Sequence, residues 1–385
     1  MIRIPVVHPT PEPAPPLATR DHMISIPVRF PQLDALRAFA VATVLLCHFS
    51  PSLASLYPEL GFVGVSLFFV LSGFLITGIL LRAQDAMHRG QTTLRAELIR
   101  FFSRRSLRIL PAFYLLLLAN ALLDIGSTRR DFWWHAAYLS NVLMGLDGHW
   151  RDLVTHLWSL AVEEQFYFIW PWIVLGVARR SFATAMLGMI AIGPLFRLGA
   201  FLLVPHNVLA PIVLTPSCLD LLGIGALLAW LRHTRGERDP ARNPWRIAGL
   251  VLLPFALAAP LILPAGSLAR VTLVPVLQAF AFAALIDGAA LGFTGICGRI
   301  LAWAPLLWIG RISYGIYLYH NNAHWLGPRV LRQLTHYRMA YFSSETLHVL
   351  YLSLLSIAAA TVSWFVLERP LNILKDRLAS TRPES

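Results

Sequence analysis

The sequence predicts an all-α, polytopic integral membrane protein of about ten transmembrane helices with both termini in the cytoplasm, and three observations lead there. The 385 residues are 57% apolar, with a mean hydropathy of +0.62. Only 14% are charged, against roughly 25% in a soluble domain, so most of the chain is not a water-facing surface. Apolar stretches of about 20 residues recur from Leu36 to Leu367, each long enough to cross a hydrocarbon core about 30 Å thick.

Apolar runs and their breaks place the spans near Leu36–Leu56, Phe62–Leu81, Ile109–Ile125, Trp158–Val177, Phe182–Val204, Ser217–Leu231, Ile247–Pro264, Val271–Phe293, Leu307–Leu326 and Leu347–Leu367. Phe132–Met144 is also apolar, but its 13 residues are too few to cross, and it reads as an interfacial or re-entrant segment. With the N-terminus inside, 24 of the 32 Lys and Arg residues fall in cytoplasmic segments or, as Arg37 and Arg311 do, just inside the spans that follow them, 7 fall outside, and Arg197 lies deep within a span. That bias orients the chain with both ends inside. The net charge of +12 then reports topology, and nucleic acid is not an expected partner; the lipid bilayer is.

One membrane unit, residues 32–370, is expected between cytoplasmic tails at 1–31 and 371–385. Met1–Phe30 has no continuous apolar stretch of the signal-peptide kind, and Pro9–Pro16 reads as a flexible tail. No internal repeat is visible, which weighs against an inverted-repeat transporter, the main alternative from another class. Cys47, Cys218 and Cys297 lie far apart in separate apolar stretches, a pattern of core residues and not of a disulfide framework or zinc site.

The first span carries Arg37 and His48, eleven residues apart. At 3.6 residues per turn this is about three turns, so both side chains share a face and stand about 16 Å apart along the axis. A boundary Arg and a core His explain the pair structurally, yet an ionisable residue deep in an apolar span is by default a functional candidate. In the second span, FFVLSGFLIT places Ser72 and Gly73 as a small-residue notch suited to close helix packing or to the approach of a thin ligand. Ahead of the third span, RRSLRILP sets Arg104 and Arg108 at i, i+4 on one face. Planar guanidinium forks at that spacing suit phosphate oxygens, and a positive-inside anchor explains them equally well.

The fourth span opens with HLWSLAVEEQFY, whose adjacent Glu163 and Glu164 are expensive in an apolar helix unless they face a wet cavity or cations. Neighbouring side chains diverge by about 100°, so one of the two, with Glu163 preferred, is expected to face a site near the outer end of the reaction path. His149, Asp152 and His156 have tolerable spacing for a metal, but scattered interfacial residues are more often solvated, and no metal is expected. In GRISYGIYLYH, Tyr314, Tyr317 and His320 recur every three residues as a polar, aromatic stripe.

Taken in order, these blocks resemble acyltransferase family three, membrane enzymes that O-acylate bacterial surface polysaccharides, lipopolysaccharide, nodulation factors and some macrolides. The resemblance runs from Gln32 to Pro370. It implies an acyl-CoA donor, commonly acetyl-CoA, taken from the cytoplasm, a glycan or small-molecule hydroxyl as acceptor, often at the outer face, and a place in the bacterial inner membrane. It also implies that Arg37 and His48 are essential, with Arg104, Arg108 and Glu163 as further site residues. Under that reading Arg37, Arg104 and Arg108 hold donor phosphates, and Ser72, Glu164, Tyr314, Tyr317 and His320 line the substrate path. His48 serves either as general base or as a transient acyl carrier. Two departures stand out. Cys218 sits near where many members carry a basic residue, and no SGNH-type esterase domain is expected after Pro370, so handover is expected on the membrane unit itself.

Overall fold

The computed structural model describes residues 30–235, 244–335, 344–371 and 373. Most of the two expected tails and the tip of the basic 232–246 loop lie outside the described residues. Ten long helices occur among the described residues: α1 Pro31–Phe49, α2 Leu60–His88, α3 Leu94–Leu122, α4 Leu157–Gly176, α5 Phe182–Leu203, α6 Leu219–Arg235, α7 Pro244–Ile262, α8 Leu268–Leu291, α9 Ser313–Thr335 and α10 Glu345–Ser363. No strand occurs among the described residues. The protein is an all-α polytopic membrane protein, and α1, α2, α3, α5, α7, α8 and α10 are long and apolar enough to cross a bilayer. The other three fall short for local reasons. α6 has 17 residues, α4 carries Glu163, Glu164 and Gln165 mid-helix, and α9 carries His320, Asn321, Asn322 and His324.

Several boundaries differ from the sequence reading. α2 and α3 are each 29 residues, about 43 Å at 1.5 Å per residue, and so overrun a hydrocarbon core of about 30 Å. The stretch Arg82–Arg108, expected as a loop, is therefore a helical hairpin closed by residues 89–93. Thr93 caps its second arm by accepting the Ala96 N–H at 3.3 Å. The first span ends at Phe49, where Ser50 turns the chain into a short helix, Pro51–Leu56, and accepts the Leu53 N–H at 3.2 Å. Phe132–Met144 is two short helices, Phe132–Ala136 and Ser140–Asp147, parted near Tyr138 at φ 54°. The ninth span is divided, with a short helix Ala304–Arg311 ahead of α9.

Helix association in lipid depends on close packing of small residues, and α2 meets α6 in this way. A Cβ on Gly73 would lie 2.0 Å from the Leu222 carbonyl oxygen, and one on Gly225 would lie 2.1 Å from that of Val70. Gly73 of the predicted notch is thus spent on helix packing, which leaves Ser72 free to face the other way.

Candidate active site

Four elements enclose a cleft beside α1. Its walls include Arg37 of α1, Ser72 of α2, Arg105 and Arg108 of α3, Glu163, Glu164 and Tyr167 of α4, and Tyr314 and Tyr317 of α9. Arg104 is exposed and is not part of this wall, whereas Arg105 is half-buried within it. Positions i+3 and i+4 both share a helical face, so spacing alone did not separate the two arginines; the packing of α3 against α4 does. The Arg105 guanidinium lies 4.0 Å from the centre of the Tyr167 ring, a cation–π contact, and its Nε is buried without a hydrogen-bond partner. Arg108 has neither a hydrogen bond nor an ion pair among the described residues, while Arg37 reaches Asp34 at 3.2 Å. Two guanidinium groups with unspent donors in one cleft form a ready anion site.

Both glutamates face this cleft, contrary to the expectation that only one would, because α2, α3 and α9 surround α4 over more than the angle between neighbours. Glu163 accepts from the Ser72 hydroxyl at 2.5 Å, and Ser72 in turn accepts from the Tyr167 hydroxyl at 2.8 Å. The glutamates share the cleft with the arginines and are not set apart at the outer end of a path. Since Glu163 holds the Ser72–Tyr167 chain, Glu163→Gln is expected to reduce activity about tenfold, the worth of one charge-assisted hydrogen bond. Glu164→Gln should cost less. Side-by-side rates of the two variants decide between them, and the reverse order would make Glu164 the working carboxylate.

The stripe on α9 leads out of the cleft. Tyr314 donates to the Ile109 carbonyl at 3.0 Å. Tyr317 lines the cleft, shares a 2.6 Å hydrogen bond with Ser159 and approaches the His156 carbonyl at 3.3 Å. One turn on, the fully buried His320 meets His48, with ring centres 4.8 Å apart in an edge arrangement. Arg37 and His48 thus both meet α9, Arg37 at the cleft and His48 at His320, one turn past Tyr317, while Cys47 packs against Gly61 of α2.

The tautomers around His48 follow from its surroundings. A carbonyl only accepts, so His320 donates Nδ1–H to the Tyr317 oxygen at 2.6 Å; its Nε2 is buried without a partner. His156 is spent at both nitrogens, donating to the Leu318 carbonyl at 3.0 Å and accepting from Asn321 at 2.9 Å. His324 bonds the backbone carbonyl of His48 at 2.9 Å. Arg105, Ser159, Tyr167, Asn321 and His324 were not singled out as site residues in the sequence, and His156 was weighed only as a metal ligand. Ser159 and Tyr167 stand within the same HLWSLAVEEQFY block, on the face of α4 that also carries Glu163, and helical spacing from Glu163 was the available signal.

A family model described as an acyltransferase domain matches residues 30–368. The chain belongs to acyltransferase family 3. Within this family it is similar to the peptidoglycan O-acetyltransferase OatA of Listeria monocytogenes, 30% identical over 329 residues that make up 75% of this chain and 48% of that protein. The O-acetyltransferase OatA of Staphylococcus aureus is 28% identical over 317 residues, 76% of this chain and 50% of that one. The chain spans about half the length of the curated relatives it matches. No solved structure matches it.

Proposed function

We propose that this family member is an O-acyltransferase of the bacterial inner membrane, moving an acyl group, most simply acetyl, from cytoplasmic acetyl-CoA to a hydroxyl of a cell-surface glycan. The observation that carries this reading is the row of α9 side chains that starts in a cleft with Arg37, Arg105 and Arg108, passes through Tyr317 and ends at the His320–His48 contact. Ten crossings with both ends inside, the arrangement favoured by the charge bias, put the α2–α3 hairpin and its arginines on the cytoplasmic side. The names of the two relatives support an acetyl group and a glycan acceptor.

In this reading the three arginines hold donor phosphates, and the thioester supplies the activated acyl group. His320 accepts the N–H of His48 at its open Nε2, which a turn of the His48 ring achieves from the observed 4.8 Å contact; such bonds often tighten only with substrate in place. The other His48 nitrogen then carries a lone pair. It takes the proton from the acceptor hydroxyl, whose oxygen bonds to the acyl carbon as the carbon–sulfur bond breaks, and His48 returns the proton to the leaving thiolate. The same lone pair serves if His48 carries the acyl group briefly.

Purified protein given acetyl-CoA and glycan acceptor should release free CoA thiol in step with acetyl ester formation. Uptake of donor or glycan into vesicles without thiol release would show a carrier instead.

A further inference from the structure

A second cavity, about 1320 Å³ including its mouth, lies back to back with the arginine cleft. Val65 and Phe69 of α2 contribute to both walls. Its remaining walls come from the N-terminal parts of α2, α4, α6 and α8 and the C-terminal end of α5. In the ten-crossing arrangement all five ends lie in the outer half of the membrane. Most of the lining is hydrocarbon and aromatic, including Phe62, Phe201, Val208, Ile212, Val271 and Val274.

Polar groups interrupt that lining, and three of the uncharged ones, on three different helices, are unspent. Ser66, Trp158 and Gln278 are 6%, 5% and 3% exposed, line the cavity, and their side chains have no hydrogen-bond partner among the described residues. Their polar atoms open onto the cavity with no protein partner, so an occupant that brings hydroxyl groups suits this cavity better than a bare hydrocarbon chain. The charges at the cavity are matched. Arg197 pairs with Asp220 at 2.6 Å, and Arg270 pairs with Glu59, which leaves no surplus cation for a phosphate.

We propose that this cavity binds the acyl acceptor, and that the acceptor is an uncharged amphiphile of the neutral glycolipid class. Its hydrocarbon chain lies against the apolar wall, and its sugar hydroxyls meet Ser66, Trp158 and Gln278. The assignment of the occupant as acceptor rests on the transferase reading above. Trp158 also packs edge-on against Phe69, with ring centres 6.0 Å apart, and its neighbour Ser159 bonds Tyr317 on the stripe to His48. The sugar end of the occupant is thereby held one side chain from the transfer track.

The test uses the full-length protein in phosphatidylcholine nanodiscs, with dodecyl β-D-glucoside as probe and native mass spectrometry to count bound molecules. Wild-type protein is expected to hold one glucoside per chain. Val274→Trp, which narrows the cavity with a bulky ring, should sharply weaken that binding, and Gln278→Leu should weaken it about tenfold. Dodecyl phosphate should bind more weakly than the glucoside, and free glucose should not compete. CoA binding, measured on each variant, reports whether it is folded. Equal glucoside binding in wild type and in either variant, tighter binding of dodecyl phosphate, or competition by free glucose would each overturn the proposal. Glucoside binding that behaves as expected without any thiol release would overturn the transferase reading and leave the glycolipid site standing. Normal thiol release with no glucoside bound would overturn the site alone.

Discussion

His48→Ala is expected to lower acyl transfer by about 100- to 10,000-fold, the usual contribution of a positioned general base. Donor affinity should stay near that of the wild type. The reason for this split is spatial. The arginines occupy the cleft, and His48 stands about 16 Å further along α1 than Arg37, against the ring of His320, whose Nε2 has no partner. Cys47→Ser serves as a neighbouring control, because that side chain packs against Gly61 and not against His320. Steady-state rates together with CoA binding on inserted protein check the prediction. Transfer persisting above about a tenth of the wild-type rate would return His48 to a packing role.

Arg197→Leu is expected to destabilise the fold by about 3–5 kcal/mol, the cost of stranding a buried charge. The Arg197 guanidinium meets both oxygens of Asp220, at 3.0 and 2.6 Å, and also the carbonyls of Ser217 and Thr272. The two residues are 2% and 0% exposed. Gly193 leaves room for the pair, since a Cβ there would lie 2.5 Å from an Asp220 oxygen. Removing Arg197 alone leaves Asp220 with no counter-charge, whereas Arg197→Leu with Asp220→Leu removes the stranded charge and should recover most of the loss. Thermal unfolding in one detergent compares the three proteins. A single variant no less stable than the double would show the pair to be energetically idle.

Apolar periodicity made the helices legible, because each span must satisfy its own backbone in lipid and so announces itself in composition. The ends were less legible. RRSLRILP reads as a polar link, yet nothing in it breaks a helix before Pro111, so α3 runs through it from Leu94. Site residues divided in the same way. Arg37, Ser72, Arg108, Glu163 and Tyr317 are named by chemistry and order, and they line one cleft. Arg105 was lost to Arg104 because two positions fit one helical face, and the choice is made by Tyr167 on a different helix. His320 was legible as part of a stripe, but its contact with His48 depends on how α9 docks on α1. The second cavity had no signature at all, since its walls come from five helices far apart in the chain.

The central claim is that Arg105 and Arg108 hold the phosphates of the donor, and equilibrium CoA binding to purified protein tests it most directly. Two charge-assisted hydrogen bonds lost at about 1.5–3 kcal/mol each correspond to a weakening of about 100-fold or more. Arg105→Gln with Arg108→Gln is therefore predicted to raise the CoA dissociation constant by at least that factor, while Arg104→Gln, at an exposed position, leaves it unchanged. Wild-type affinity in the double variant, or a loss produced by Arg104→Gln instead, would contradict the account.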